Sequence, residues 1–147
     1  MEFQINKKDK RILLIKFITK ILMNKTLDSI SNRYEGVLIN REGHNFPSEY
    51  VLKTDSTIYD FIIKNNIKYI IGVYNSTSIK HEELHAKYHL DYNYKLSIIK
   101  EWNDMEQHKR EYIIRFLKKL GYSDKVLIDE YQAYKYSEKP NFFGIKI

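Results

Sequence analysis

The chain has 147 residues, of which 43% are hydrophobic and 30% charged, and its net charge at pH 7 is +6. These values are typical of one globular domain with a core of its own and exclude a disordered chain. Cysteine is absent, which excludes disulfide bonds and thiolate metal sites, so any bound zinc would be held by His, Asp or Glu. The positive charges are spread along the chain, which favours a solvated basic surface over a nucleic-acid partner.

An apolar run covers residues 12–23, and Lys16 and Lys20 interrupt it one helical turn apart. This spacing predicts an amphipathic helix. The run is too short and too charged to span a membrane, and no small-residue cleavage site follows it, so neither a transmembrane segment nor a signal peptide is expected. Together with the lack of cysteine, this predicts an intracellular (cytoplasmic) protein.

The middle of the chain alternates between strand and helix patterns. Two short strands are predicted at 36–40 and 50–53, with a turn or loop at 41–48 between them that contains Gly43 and Pro47. A helix follows at 57–66, and polar residues precede it as N-cap candidates. The clearest strand is 68–74, because it consists mainly of β-branched and aromatic residues.

The second half of the chain is mainly helical. Helices are predicted at 79–90, 98–120 and 124–136, and a last strand at 142–147. The order of these elements predicts a single domain over 1–147 with an α+β fold in two layers, in which a small mixed or antiparallel sheet packs against helices.

The helix at 79–90 contains the motif His81-Glu82-Glu83-Leu84-His85. Residues four apart project from one face of a helix, so His81 and His85 can bind one metal ion. Zinc lowers the pKa of a bound water, and Glu82 is placed to accept the proton of that water as it attacks a carbonyl. The alternative is a surface helix that happens to be rich in His and Glu.

A catalytic zinc needs a third protein ligand. His89 lies roughly 12 Å along the helix axis from His81 and cannot share the ion while the helix is straight. Asp91 would require the chain to turn directly after the motif, where no glycine is present. Glu130 is the best candidate, since it lies in an apolar-flanked helix where a buried carboxylate needs a partner. The alternative is that Glu130 faces solvent.

Over residues 68–137 the sequence resembles the gluzincin clan of zinc peptidases, including its compact, minimal members. The resemblance depends on the motif at 81–86 and on Asp129-Glu130-Tyr131-Gln132-Ala133-Tyr134. It implies a zincin-like fold in which one zinc ion per chain is held by His81, His85 and Glu130, with Glu82 as the general base.

Two further roles follow from the resemblance. Tyr122 would stabilise the oxyanion, with Tyr134 as the alternative, because no histidine is placed to do so. The position four residues after the ligand glutamate, where thermolysin-like members have an aspartate that orients a ligating histidine, is Tyr134 here. Asp129 is therefore the remaining candidate for that orienting carboxylate.

The resulting hypothesis is a zinc-dependent endopeptidase with its catalytic core at 35–137. By the resemblance, its substrate would be a protein or peptide bound as an extended strand along residues 69–74 of the strand predicted at 68–74, taken as the edge of the sheet. We further hypothesise that residues 1–30 cover the cleft as an inhibitory segment. The alternatives are a catalytically inactive binding module of the same fold and, less favoured, a basic nucleic-acid-binding protein. The oligomeric state is left open.

Overall fold

Four short segments form a mixed β-sheet in a computed structural model that describes residues 1–147. The strands are β1 (Glu2–Ile5), β2 (Ile12–Lys16), β3 (His44–Pro47) and β4 (Tyr69–Val73). Their order in the sheet is β1-β2-β4-β3, with β2 and β4 parallel and the outer pairs antiparallel. Because β4 lies between β2 and β3, the edges of the sheet are β1 and β3.

Six α-helices complete the fold, and 57% of the residues are helical when three short 3-10 turns are included. The helices are α1 (Lys20–Glu35), α2 (Ser56–Asn65), α3 (Ile79–Leu90), α4 (Tyr92–Asp104), α5 (Gln107–Lys119) and α6 (Leu127–Ser137). The predicted α+β class with a mainly helical C-terminal half is thus confirmed. None of the helices has the length and apolar composition needed to cross a membrane.

Helices cover both faces of the sheet, so the molecule is not limited to the two layers expected from the sequence. Alternate residues of a strand point to opposite faces. Ile70 of β4 belongs to the cluster that buries α1 and α2, whereas its neighbours Tyr69 and Ile71 pack with Ala86 of α3. A separate cluster around Tyr131 holds α4, α5 and α6 together. The sheet and the helical half therefore meet at α3.

The N-terminal prediction is wrong. Residues 12–16 form β2, and α1 begins only at Lys20, where the Thr19 side chain accepts a hydrogen bond from the amide of Leu22. The hypothesis of a covering segment fails with it, because residues 1–30 supply two strands and most of α1. Leu13 and Leu27 are fully buried in the core, and the deletion of this segment would remove half of the sheet.

The strands predicted at 36–40 and 50–53 are also wrong. Residues 36–40 form a loop in which Val37 and Ile39 are exposed, while the Arg41 guanidinium donates hydrogen bonds to the carbonyls of Gly36 and Leu38. The actual edge strand, β3, lies in the segment predicted to be a loop. It is buried despite its polar residues, because His44 bonds to side chains of α1.

Two errors concern the C-terminal half. The helix predicted at 98–120 is two helices, α4 and α5, separated at Met105, whose backbone is extended. Arg110 stabilises this break by donating hydrogen bonds to the carbonyls of Asn103 and Met105. The strand predicted at 142–147 is a series of turns, because Phe143 packs into the helical cluster, where it is 2% exposed.

Candidate metal centre

The motif helix α3 lies between the sheet and α6. It follows the predicted bounds, with Ala86 fully buried against the sheet, and packs along α6 on its other side. This packing brings Glu130 of α6 to the histidines. The side chains of His85 and Glu130 are 2% and 3% exposed, and that of His81 is 14% exposed. Glu130 therefore faces the motif and not the solvent.

The three side chains offer one ligand atom each to a common point. His85 Nε2 lies 3.2 Å from His81 Nε2 and 3.0 Å from Glu130 Oε1, and His81 Nε2 lies 3.8 Å from the same oxygen. Tetrahedral zinc ligands at about 2.0–2.1 Å from the ion stand about 3.3 Å apart. Glu130 Oε2 is buried without a hydrogen-bond partner, as expected of a carboxylate whose partner is a cation. The site fits a zinc ion by spacing and by ligand type.

The orientation of His85 is fixed by Asp129. His85 Nδ1 donates to Asp129 Oδ1 over 2.8 Å, which leaves Nε2 free for a metal. Gln132 holds the carboxylate in turn, donating through Nε2 to Asp129 Oδ1 (3.0 Å) and to the carbonyl of Leu84 (3.1 Å). The orienting carboxylate thus comes from the residue next to the candidate ligand, as considered from the sequence.

His81 has a different partner. Ser137 donates its hydroxyl proton to the carbonyl of Ala133, so its oxygen accepts from His81 Nδ1, 3.1 Å away. The Tyr134 ring packs edge-on against the imidazole, with ring centroids 4.5 Å apart. Both histidines therefore present Nε2 to the same point. Sequence reasoning missed Ser137, although it lies two helical turns after Glu130 and hence on the same face of α6.

Glu82 is held beside the three candidate ligands by the edge strand. Its Oε2 accepts a hydrogen bond from Asn45 Nδ2 at 2.8 Å, and Asn45 Oδ1 accepts one from the Tyr69 hydroxyl at 2.5 Å. Gly43 lies against the other oxygen, because a Cβ atom at this position would stand 2.8 Å from Glu82 Oε1. Neither Asn45 nor Gly43 was identified from the sequence, since both lie in the segment predicted to be a loop.

The surroundings give the two glutamates different proton affinities. Burial raises the pKa of Glu82, and the charges of His81 and His85 offset this only in part. Burial acts on Glu130 in the same direction, but the charge of His85 and hydrogen bonds from both histidines outweigh it and lower the pKa of Glu130 to about 2. In the metal-free site Glu130 is thus held as a carboxylate by a protonated His85, whose Nε2 must lose its proton before a metal can bind, while Glu82 is the better proton acceptor.

Tyr122 and Tyr134 meet at the opening of the site. Their hydroxyl oxygens are 2.9 Å apart, and both residues line the same cleft as Glu82 and Glu130. Burial raises the pKa of both phenols, that of Tyr134 to about 12, so both remain protonated hydrogen-bond donors at neutral pH. The structure brings both tyrosines to the site, and it places the Tyr134 ring against a candidate ligand.

The cleft has a volume of about 560 Å³ and lies between the loop before β3 on one side and α3 and α6 on the other. The strand predicted to bind the substrate, at 68–74, is β4, which is paired on both sides, so that prediction is wrong. The sheet edge beside the cleft is β3, whose Asn45 lines it together with Gly43. No residue before Glu35 lines the cleft.

Two other metal-ligand candidates lie elsewhere. His89 packs against the Tyr69 ring at a centroid distance of 5.0 Å and is not part of the cluster. Asp91 caps α4, its Oδ1 accepting a hydrogen bond from the amide of Tyr94. His81, His85 and Glu130 are the group of side chains whose ligand atoms lie within 4.8 Å of one another.

No protein-family model, no curated protein and no solved structure matches the chain. The interpretation of the site therefore depends on the geometry described above.

Proposed function

We propose that this chain is a zinc-dependent endopeptidase in which His81, His85 and Glu130 bind the ion. The observation that carries the proposal is the convergence of these three ligand atoms beside the Glu82 carboxylate, with His81, Glu82 and Glu130 lining one open cleft. A structural zinc site is usually closed by four protein ligands, whereas a catalytic site has three and an open position. Three protein ligands, of which His81 and Glu130 line a cleft, match the catalytic type.

Zinc in this position would polarise the scissile carbonyl and lower the pKa of the attacking water. Glu82 accepts the proton from that water and passes it to the leaving amine, a role that suits a buried carboxylate with a raised pKa. Asn45 holds the Glu82 carboxylate by Oε2, while Oε1, beside Gly43, accepts no hydrogen bond and is free to accept a proton.

A tyrosine hydroxyl supplies the hydrogen bond to the oxyanion that develops on the carbonyl. Tyr122 and Tyr134 are the candidates, and their hydrogen-bonded pair fixes the position of both hydroxyl groups. Tyr134 is nearer to the proposed ligands through its contact with His81. Single Tyr→Phe variants at the two positions identify the donor. Replacing the donor should lower kcat by a larger factor than it changes KM.

The substrate binds as an extended peptide along β3. This strand has β4 on one side and no strand on the other, so a further strand would pair with its outer edge, although all four of its residues are buried in the chain alone. β3 also positions Asn45 at the cleft, which places a peptide on this edge close to Glu82. The absence of cysteine supports an intracellular location for this activity.

The test combines metal analysis with peptide hydrolysis on the purified full chain and three variants. We expect about one zinc per chain. Glu82→Gln should retain zinc and lose hydrolysis, Glu130→Ala should weaken zinc binding, and Glu83→Gln, on the exposed face of α3, should change neither. Hydrolysis that survives in Glu82→Gln would overturn the proposed mechanism. Zinc binding without hydrolysis by the wild-type chain would favour a metal-binding module without turnover.

A further inference from the structure

Glu35 is a buried carboxylate in the cleft that the proposed mechanism does not use. It ends α1, lines the cleft, and its side chain is only 9% exposed. One of its oxygens, Oε1, accepts a hydrogen bond from Arg41 Nε at 3.2 Å, and the other accepts none. Unlike Glu130 Oε2, this second oxygen of Glu35 is not closed off from solvent, so it can accept a hydrogen bond from a ligand that enters the cleft.

Arg41 does not balance the charge of Glu35 alone. The same guanidinium donates to Asp28 Oδ1 at 3.1 Å, so two carboxylates share one cation. Burial and the nearby charge of Glu130 raise the pKa of Glu35 to about 7, although the charge of Arg41 acts in the opposite direction. A second cation close to Glu35 would therefore be stabilised there.

Apolar side chains line the cleft in the same region. Leu38 and Leu120 belong to its lining. A methyl group of Leu38 contacts Gly121, since a Cβ atom added to Gly121 would lie 2.7 Å from Leu38 Cδ2. This contact joins the loop after α1 to the turn after α5. Long cationic side chains place their methylene stems on such apolar surface and their charged ends on a polar group. The combination favours lysine or arginine over a short or uncharged side chain.

The charge of the cleft contrasts with that of the whole chain. The chain carries +6, but the cleft is lined by five glutamates against two basic residues, Arg41 and Lys80, of which the first is already paired. Local potentials in a cleft depend on its own lining, so this one is negative although the protein is basic, and a bound zinc ion would offset two of its three excess negative charges.

We propose that Glu35 determines specificity by binding the charged end of a lysine or arginine side chain of the substrate, with the methylene stem on Leu38 and Leu120. The inference rests on the proposed function in one respect, since it takes the cleft to be the peptide-binding site. Glu35 is a specificity residue and takes no part in the chemical step.

The test is direct binding to zinc-loaded Glu82→Gln protein, which cannot turn the ligand over, repeated after removal of zinc. Two fluorescent ten-residue peptides differ only at the central position, which is lysine in one and norleucine in the other. The charge-assisted hydrogen bond predicts about tenfold or tighter binding of the lysine peptide. Adding Glu35→Gln should reduce this ratio to within about threefold, because glutamine still accepts from Arg41 but carries no charge.

Asp28→Asn is the matched control. It removes the other carboxylate from Arg41, yet Asp28 does not line the cleft, so the preference for the lysine peptide should persist. Equal loss of the preference in both variants would show that Glu35 acts only by supporting Arg41, and would overturn the inference. Equal binding of both peptides, or binding of neither, would also overturn it. If the wild-type chain hydrolysed peptides without a preference for basic residues, only this inference would be refuted. If the protein bound the lysine peptide selectively but the wild-type chain hydrolysed no peptide, only the proposed function would be refuted.

Discussion

Asp129→Asn tests how far the zinc site depends on the carboxylate behind His85. Asp129 is 8% exposed, and its Oδ1 accepts from both His85 Nδ1 (2.8 Å) and Gln132 Nε2 (3.0 Å). The asparagine oxygen can occupy the same position, so both hydrogen bonds are retained while one negative charge is lost. Asp129→Ala removes the acceptor as well, which leaves His85 Nδ1 without a partner and Gln132 Nε2 with only the Leu84 carbonyl.

The size of the effect follows from these contacts. Charge-assisted hydrogen bonds contribute about 1.5–3 kcal/mol against about 1 kcal/mol for neutral ones, so Asp129→Asn should cost on the order of 1–2 kcal/mol of zinc-binding free energy. This corresponds to roughly a 5- to 30-fold loss of affinity. Asp129→Ala should reach about 100-fold, since the orientation of His85 is then no longer fixed.

The assay is competition for zinc against a chromophoric chelator at pH 7, with circular dichroism to confirm that each variant is folded. Asp124→Asn serves as the control, because Asp124 is exposed on the turn before α6 and pairs only with Lys118. It should bind zinc like the wild type. If folded Asp129→Ala bound zinc within twofold of the wild type, His85 would not be a ligand oriented by this carboxylate, and the account of the site would be refuted.

Three further outcomes follow from close contacts and burial. Gly43→Ala places a methyl group 2.8 Å from Glu82 Oε1, so hydrolysis should fall about 100-fold while zinc content stays unchanged; unaltered kinetics would contradict this. Gly72→Ala should lower the free energy of unfolding by about 1–3 kcal/mol in denaturant titrations, because its Cβ would stand 2.3 Å from Leu27 Cδ1. Burial, followed by the charge of Arg41, lowers the pKa of His44 to about 3, below its unfolded value of about 6.5. Stability contributed by neutral His44 is therefore present above pH 6.5 and lost toward pH 3, by on the order of 1 kcal/mol per pH unit, and His44→Gln should flatten this dependence.

The sequence predicted the centre of the molecule better than its N-terminal part. β4 and α3 were found within a residue of their bounds because one is rich in β-branched residues and the other carries an uninterrupted helical pattern. Residues 12–16 could not be assigned in the same way. A short apolar run is compatible both with a buried strand and with part of a helix. Only the pairing of residues 12–16 with β4 shows that they form a strand.

The error at β3 has a different physical cause. Its sequence, His44-Asn45-Phe46-Pro47, lacks the alternation of a half-buried strand, because two of its polar side chains are buried and bonded to distant residues. Such bonds depend on the tertiary structure and leave no local pattern. The substrate edge was placed on β4 by the resemblance, and the strand that lies outside β4, β3, was not recognised.

The candidate site was predicted more completely than the fold around it. His81, Glu82 and His85 follow from helical spacing alone, and the structure brings Glu130 to them as expected. Spacing could not supply Asn45 or Glu35, because each reaches the cleft from another element of the chain. Whether the assembled group binds zinc and hydrolyses peptides stays a prediction.

Anomalous diffraction at the zinc absorption edge, from crystals of the chain grown with stoichiometric zinc, tests the central claim most directly. The account predicts one strong peak within about 2.0–2.1 Å of His81 Nε2, His85 Nε2 and Glu130 Oε1, with its remaining position open to the cleft. A chain without a peak there, or with zinc held only by exposed residues such as His108, would contradict it.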